Sequence, residues 1–178
     1  MRKSLIILGI LDDGDLEWLI ENGSGRQLQE GDVLLRQGHK VEAMYFLLDG
    51  SLSVELESPE AKRLAELESG EVIGEISLLD SRNATASVRA LDEALLLEIR
   101  HEKLKPKLEA DLGFQARLYR SVGMFLAQRM RSTILTLSYG DDRSEEDEEE
   151  IDEIEPQLLD AVERAAKRFE LMVSKVKV

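Results

Sequence analysis

The sequence predicts a mainly β fold, an antiparallel barrel or sandwich that is preceded and followed by helices. Between residues 27 and 99, short apolar runs recur at fairly regular intervals, and turn residues bound each of them. Such spacing is typical of antiparallel strands rather than of alternating strands and helices. On both sides of this region, apolar residues recur every three or four positions, as on one face of a helix. A chain of 178 residues can hold one such domain with an appended segment.

The composition excludes several classes of protein. The chain contains no cysteine, which excludes disulfides, thiolate catalysis and cysteine-based zinc sites. This is compatible with a reducing cytoplasm, where we expect the protein to reside. The N-terminus joins two basic residues to an apolar stretch, but acids follow at once without a small-residue cleavage site, so we do not expect a signal peptide. No run approaches the roughly 20 apolar residues of a membrane-spanning helix.

The net charge of −14 is unevenly distributed. Residues 141–155 hold eleven acids and one arginine, whereas residues 156–178 hold five bases and three acids. The remaining body is also acidic and repels a phosphate backbone. We therefore expect no nonspecific binding to nucleic acid.

The N-terminal segment, residues 1–25, is predicted to be helical. Asp12 and Asp13 suit a helix start, because acids interact favourably with the positive end of the helix dipole. Asn22-Gly23-Ser24-Gly25 is expected to end the helix. The predicted β region follows over residues 26–112, and its last part, EKLKPKL, is expected to form a short helix that Pro106 limits.

A long helix is predicted over residues 113–140. Its apolar stripe consists of Tyr119, Val122, Leu126, Met130, Thr133 and Leu137, and is widened by Phe114, Leu118, Phe125 and Ile134. This stripe is wider than contact with the helix's own barrel requires, so we expect a homodimer through residues 114–138. We expect its interface to centre on Val122, Phe125, Leu126 and Met130. Burial of the whole stripe on the barrel is the alternative.

The C-terminal part of the sequence divides into two segments. The acidic residues 141–155 are interpreted as a solvated linker, and we expect no metal site there because the spacing of a calcium-binding loop is missing. Residues 156–178 are predicted to form an amphipathic helix that Pro156 opens. Its apolar face docks either on this fold or on a protein partner.

The stretch GEISLLDSRNATASV, residues 74–88, carries the candidate chemistry. A glycine permits a sharp backbone turn, and the amides that follow can point together at an anion. The adjacent Glu75 can accept a hydrogen bond from a sugar hydroxyl. Taken alone, this stretch is also compatible with a strand, a turn and another strand.

The order of elements around this stretch resembles the cyclic nucleotide-binding domain family, which includes Crp/Fnr-like regulators and kinase regulatory subunits. The resemblance covers roughly residues 10–138, with LQEGDVLLRQGHKVEAMYFLLDGSLSVE, LESGEVIGEISLLDSRNATASVRA and ALLLEI between the helices. It implies an eight-stranded antiparallel β-roll with flanking helices, in which residues 74–88 form the phosphate-binding cassette. It also implies a cyclic nucleotide, such as cyclic AMP, as the ligand.

The resemblance assigns roles to the first half of the cassette. Gly74 would open it, and Glu75 would hold the ribose 2′-hydroxyl. The backbone of Ile76 and Ser77 would meet the cyclic phosphate, and the long helix would cap the base.

The second half of the cassette departs from the family pattern. Thr85 and Ala86 would continue the phosphate-facing turn, but Ala84 stands where kinase regulatory subunits place arginine. Losing one charged partner of a buried pair costs about 2–5 kcal/mol. Three interpretations follow: Arg82 swings inward as a substitute, the pocket takes another phosphate ligand such as a cyclic dinucleotide, or the site is degenerate. Without a ligand, Glu75 could pair with Arg82.

Other residues have simpler interpretations. We expect Arg89 to pair with a surface acid, and Trp18 to pack on the face of the N-terminal helix. His39 and His101 are interpreted as solvated turn residues rather than metal ligands or bases. No motif of a nucleophilic hydrolase, a nucleotide hydrolase or a metalloprotease occurs, so we do not expect an enzyme.

The sequence therefore favours a stand-alone regulatory sensor that moves its helices and C-terminal segment against a protein partner. One alternative is a dimeric scaffold whose β-roll binds no small molecule. A second is a transcription regulator of the Crp/Fnr type. DNA reading is not expected, because the roughly forty residues after the long helix are too few for a winged helix-turn-helix.

Overall fold

The computed structural model describes residues 5–57, 62–139 and 156–176. Its strands are β1 Ser24–Leu28, β2 Val33–Leu35, β3 Ala43–Asp49, β4 Ser51–Leu56, β5 Lys62–Glu68, β6 Val72–Ile73, β7 Ser87–Ala90 and β8 Ala94–Arg100. Its helices are α1 Leu5–Ile10, α2 Asp13–Asn22, α3 Glu75–Asp80, α4 His101–Ala110, α5 Leu112–Tyr139 and α6 Pro156–Lys175. The eight strands and flanking helices confirm the predicted β-roll. No helix among these residues is long and apolar enough to cross a membrane.

The strands form two four-stranded antiparallel sheets with the orders β1-β8-β3-β6 and β2-β7-β4-β5. One apolar core lies between the sheets and takes residues such as Leu47, Leu52 and Leu96. A second core lies on the other face of the first sheet and holds Met44 and Phe46 together with the helices. Because successive strand residues point to opposite faces, β3 is buried from Ala43 to Leu48.

A partly buried ion pair joins α2 to α5. Asp12 and Asp15 cap the start of α2 reciprocally, each carboxylate accepting from the other's backbone N–H. Arg117 of α5 donates twice to Asp15, at 2.6 and 2.7 Å. Burial raises the pKa of Asp15, but the hydrogen bonds from Arg117 and Asp12 outweigh it and hold that pKa below its ordinary value. Trp18 packs beside Phe114, with ring centroids 5.6 Å apart, as predicted for its helix face.

Helix α4 differs from its prediction in two ways. It runs from His101 to Ala110 with Pro106 inside it, so the proline does not limit the helix. The buried side chains of Leu104 and Leu108 anchor the helix on both sides of the proline. His101 is buried rather than solvated, and its backbone N–H donates to the carbonyl of Glu42.

Helix α5 divides the predicted apolar stripe between two surroundings. Val122 and Phe125, placed at the centre of a dimer interface by the sequence, are fully buried against the helix's own chain. Tyr119, Met130 and Ile134 remain exposed, Met130 by 63%. The prediction of the interface centre is therefore wrong for Val122 and Phe125. One part of the wide stripe packs on the helix's own chain, and only the other part is exposed to a second chain.

The apolar face of α6 docks on its own chain, against α1 and α2. Ala165 and Met172 are fully buried there, and Phe169 and Val176 pack partly buried against the same core. The predicted acidic linker at residues 141–155 lies outside the described residues. The sequence left open whether the apolar face of α6 docks on its own fold or on a partner. In the structure it docks in cis, on its own fold.

Arg168 adds a polar lock to this docking. Its guanidinium donates to the carbonyls of Leu8 and Leu11 and to the carboxylate of Asp13. The last carbonyls of a helix have no partner within the helix, so an arginine at the end of α1 satisfies them. The lock fixes the position of α6 along α1.

We predict that Met172→Ala lowers the free energy of unfolding by about 2–5 kcal/mol, because it leaves a cavity in the shared helical core. Leu171→Ala is the matched control, since its side chain is 41% exposed on the same helix. We expect the control to cost much less, as is usual for surface positions. Chemical unfolding of both variants measures the difference. Equal losses would contradict docking of α6 in cis.

Candidate functional site

A cavity of about 110 Å³ is lined by both sheets, by α3 and by α5. The lining residues are Leu35, Val41, Val54, Leu67, Val72, Ile73, Gly74, Glu75, Ile76, Ser77, Asn83, Ala84, Thr85, Ala86, Val88 and Arg129. Apolar cavities of about 150 Å³ admit a benzene molecule. At about 110 Å³ the cavity is somewhat smaller, so it is of a size to receive a small group of a ligand.

Gly74 makes the turn from β6 into α3. Its φ of +84° lies in the left-handed region, which residues with a Cβ rarely adopt. A Cβ at this position would lie only 2.5 Å from the carbonyl oxygen of Ala43. Only glycine thus fits the turn that places Glu75, the first residue of α3, at the cavity.

The loop after α3 is fastened to the turn before β3. The backbone N–H of Ala84 donates to the carbonyl of His39, and that of Gly38 donates to the carbonyl of Ala84, both at 2.8 Å. The Asn83 side chain also donates to the carbonyl of Gly38. His39 itself is exposed, as predicted. These bonds hold the loop at the edge of the cavity.

Arg82 lies outside the cavity. Its side chain is 82% exposed, and its Nε lies 3.3 Å from a carboxylate oxygen of Asp80. Its backbone is also fixed, because its N–H donates to Asp80 and its carbonyl accepts from the Ser77 hydroxyl. The inward orientation considered for Arg82 is therefore not the one in the structure.

Glu75 pairs with Arg129 of α5 and not with Arg82, which corrects the predicted pairing. Arg129 Nη1 donates to Glu75 Oε1 at 2.8 Å, and Nη2 donates to Glu71 Oε2 at 3.1 Å. The guanidinium also lies over the ring of Phe125, 4.6 Å from its centroid. The Glu75 side chain is only 3% exposed. Burial raises the pKa of Glu75, although the charge of Arg129 opposes the shift.

Arg129 is a site residue that the sequence analysis missed. It lies 54 positions after Glu75, and no spacing rule links the two residues. The available signal was a cation four residues after Phe125, on the same side of a helix that was expected to cover the cassette.

The structure brings seven of the eight predicted site residues to the cavity. These are Gly74, Glu75, Ile76, Ser77, Ala84, Thr85 and Ala86. Arg89, expected on the surface, has its Nε 3.7 Å from a carboxylate oxygen of Glu55. Within the described residues, no group of three or more histidine or acidic side chains is arranged to hold a metal ion. The site is thus an apolar cavity with one carboxylate and one guanidinium.

Comparison with known proteins agrees with this geometry. Residues 25–111 match the family model described as "Cyclic nucleotide-binding domain". Over 109 residues the chain is 28% identical to the cAMP-activated global transcriptional regulator CRP of Salmonella typhimurium, in an alignment that covers 60% of this chain and 52% of CRP. The chain therefore spans about half the length of that relative.

Many solved structures are similar as well, and two of them illustrate the match. One is the N-terminal domain of a transcriptional regulator from Streptomyces coelicolor, 31% identical, with a TM-score of 0.59 over 75% of this chain and 92% of that one. The other is a cyclic nucleotide-binding domain from Methylobacillus flagellatus, with a TM-score of 0.70 over 80% of this chain and 85% of that one. At 16% identity, the second similarity concerns the fold alone.

We predict that the stability of the protein relative to a Glu75→Gln variant falls as pH rises from about 4.5. Burial raises the pKa of Glu75 above its ordinary 4.5, so the folded state binds the proton more tightly than the unfolded chain does. The wild type therefore loses up to about 1.4 kcal/mol per pH unit relative to the variant until Glu75 is ionised in the folded state. Unfolding of both proteins by urea between pH 4 and 8 measures this difference. A wild type that gains stability over the variant with rising pH would contradict it.

Proposed function

Since the chain belongs to the cyclic nucleotide-binding domain family through residues 25–111, we propose that it is a ligand-sensing regulatory protein. A small molecule enters the cavity of the β-roll, and α5 transmits its presence. In this proposal the protein binds and signals in the cytoplasm and catalyses no reaction.

The observation that carries the proposal is the bond between Arg129 and Glu75. It joins the first residue of α3, inside the cavity, to the long helix α5. A ligand that hydrogen-bonds to the Glu75 carboxylate must share that carboxylate with Arg129 or displace the guanidinium. Either event changes the contacts that hold α5 against the cavity. A ligand can shift a conformational equilibrium only if its contacts differ between the two states, and this site meets that requirement.

The contacts of α5 offer a route from the cavity to the other helices. Arg117 joins α5 to α2 through Asp15. Helix α1 contacts both α5 and α6. A shift of α5 would therefore alter the position of α6. We propose that α6 signals to a protein partner through its exposed face. The net charge of −14 does not favour DNA as that partner.

An exposed stripe on α5 supports a homodimer. Its members are Leu112, Ala116, Tyr119, Gly123, Leu126, Met130 and Thr133, all exposed except Leu126, which is partly buried. Their spacing alternates between three and four residues, the pattern of a two-stranded coiled coil. Nothing lies within 4 Å of a Cβ built on Gly123, so a second helix could approach there closely.

A ligand-free scaffold is the second candidate function. Ala84 provides no charge at the cassette, Arg82 faces solvent, and Arg129 is already held by two carboxylates. A β-roll in this state could support a dimer without binding a small molecule. The two functions differ in whether occupancy of the cavity changes α5.

Hydrogen exchange of α5 and α6 tests the sensor. The relative named as cAMP-activated makes cyclic AMP one ligand to test, and adenosine is its uncharged counterpart. We expect a saturating ligand to change the exchange of both helices in the wild type. In an Arg129→Gln variant the change should be confined to the cavity. Binding without any change in the wild-type helices would contradict the sensor, and the absence of binding would favour the scaffold.

We predict that Met130→Glu converts the dimer into a monomer. A carboxylate at an exposed position of the stripe must be buried without a partner when two helices pair, which is costly. Arg131→Glu is the control, because Arg131 is exposed on the same helix outside the stripe. Light scattering at micromolar concentration measures the mass of both variants. A wild type that is already monomeric under these conditions would remove the proposed dimer.

A further inference from the structure

The charges around the cavity are few and already paired. Of the lining residues, only Glu75 and Arg129 are ionisable, and they are bonded to each other. The second bond of Arg129 goes to Glu71, whose side chain is only 15% exposed. Two carboxylates therefore share one guanidinium, and with all three groups ionised this cluster carries a net negative charge.

Arg129 is not available to a ligand anion without a loss elsewhere. Its guanidinium is held by Glu75, by Glu71 and by the face of Phe125. If it turned toward an anion, the deeply buried Glu75 would keep its charge without a partner, a costly arrangement in a protein interior. An anion in the cavity would also lie close to the carboxylate of Glu75, which lines it.

The other polar groups of the lining do not supply a positive charge. The Ser77 hydroxyl donates to the carbonyl of Arg82, and the Asn83 amide donates to the carbonyl of Gly38. Ala84 contributes only a methyl group, and Arg82 lies outside, paired with Asp80. Ten of the sixteen lining residues are aliphatic.

We propose that the cavity selects an uncharged, largely apolar ligand that carries a hydroxyl donor for Glu75, and that it discriminates against phosphate and carboxylate anions. The proposal rests on the proposed sensor function, because it names the ligand class of the same site. The aliphatic lining removes the apolar part of the ligand from water. The Glu75 carboxylate accepts from the hydroxyl and fixes the orientation of the ligand.

Two probe pairs that differ in charge test this preference. Benzyl alcohol and benzoate have nearly the same shape, and adenosine and cyclic AMP share base and sugar. Each probe is titrated into the 178-residue chain with ¹³C-labelled Ile, Leu and Val methyl groups. The shifts of Leu67, Val72 and Ile73 report on the cavity. We expect saturable shifts with benzyl alcohol, and at least ten-fold weaker binding of benzoate. Cyclic AMP is expected to bind no more tightly than adenosine.

Two variants test whether charge causes the preference. Ala84→Arg introduces a cation into the cavity lining, and we expect it to raise the affinity for benzoate and cyclic AMP at least thirty-fold, as one buried charged contact does. Arg82→Ala is the control, because it removes a cation outside the cavity and should leave both ratios unchanged. An Ala84→Arg protein with unchanged ratios would overturn the role of charge.

The titrations of the wild-type protein test the ligand class independently of the variants. If benzoate or cyclic AMP shifts the cavity methyl groups at lower concentration than its uncharged counterpart, the ligand class is wrong and the sensor function stands. If none of the four probes shifts these methyl groups, the ligand class is overturned and the ligand-free scaffold is favoured over the sensor. Tighter binding of benzyl alcohol than of benzoate, together with cyclic AMP that binds no more tightly than adenosine, supports the proposal.

Discussion

The structure depends on one sheet that is covered on both faces. In β1-β8-β3-β6, alternate residues of β3 face two separate apolar cores, one shared with the second sheet and one shared with the helices. Leaving the helical face open would expose residues such as Met44, Phe46 and Ile99 to water, at a cost proportional to their apolar area. The helices are therefore part of the condition under which the β-roll is stable. Any movement of α5 takes place on a surface that must stay covered.

The elements of the fold could be predicted because their signals are local. Turn residues bounded the strands, and helical spacing marked the long helix, each readable within a few positions. The sharp turn at Gly74 could be anticipated in the same way, from the glycine itself, whereas the short helix α3 that follows it was not predicted. Burial against distant parts of the chain could not be predicted from such local signals. His101 and Pro106 were misplaced because only the packing of α4 decides whether a histidine is covered or a proline tolerated.

The same distinction between local and distant signals applies to the candidate site. The cassette residues are adjacent in sequence, and the cavity brings seven of them together. Its charge balance depends on Arg129, which reaches Glu75 across 54 positions of sequence. The width of the apolar stripe on α5 did not reveal which residues face the chain itself, because Val122 and Met130 are both apolar although one is buried and the other exposed. Apolar patterning marks a surface for burial without naming what covers it.

The lock between α1 and α6 also bears on the order in which the protein is made. Arg168 bonds to carbonyls about 160 positions earlier in the chain, so this part of the helical core joins its two most distant segments. Contacts between distant positions slow folding, because the chain must lose the entropy of a long loop before they form. During synthesis, the apolar face of α1 remains without α6 until the ribosome has released the last described helix. Until then the apolar residues of α1 that α6 covers stay exposed, and exposed apolar surface favours self-association of an unfinished chain.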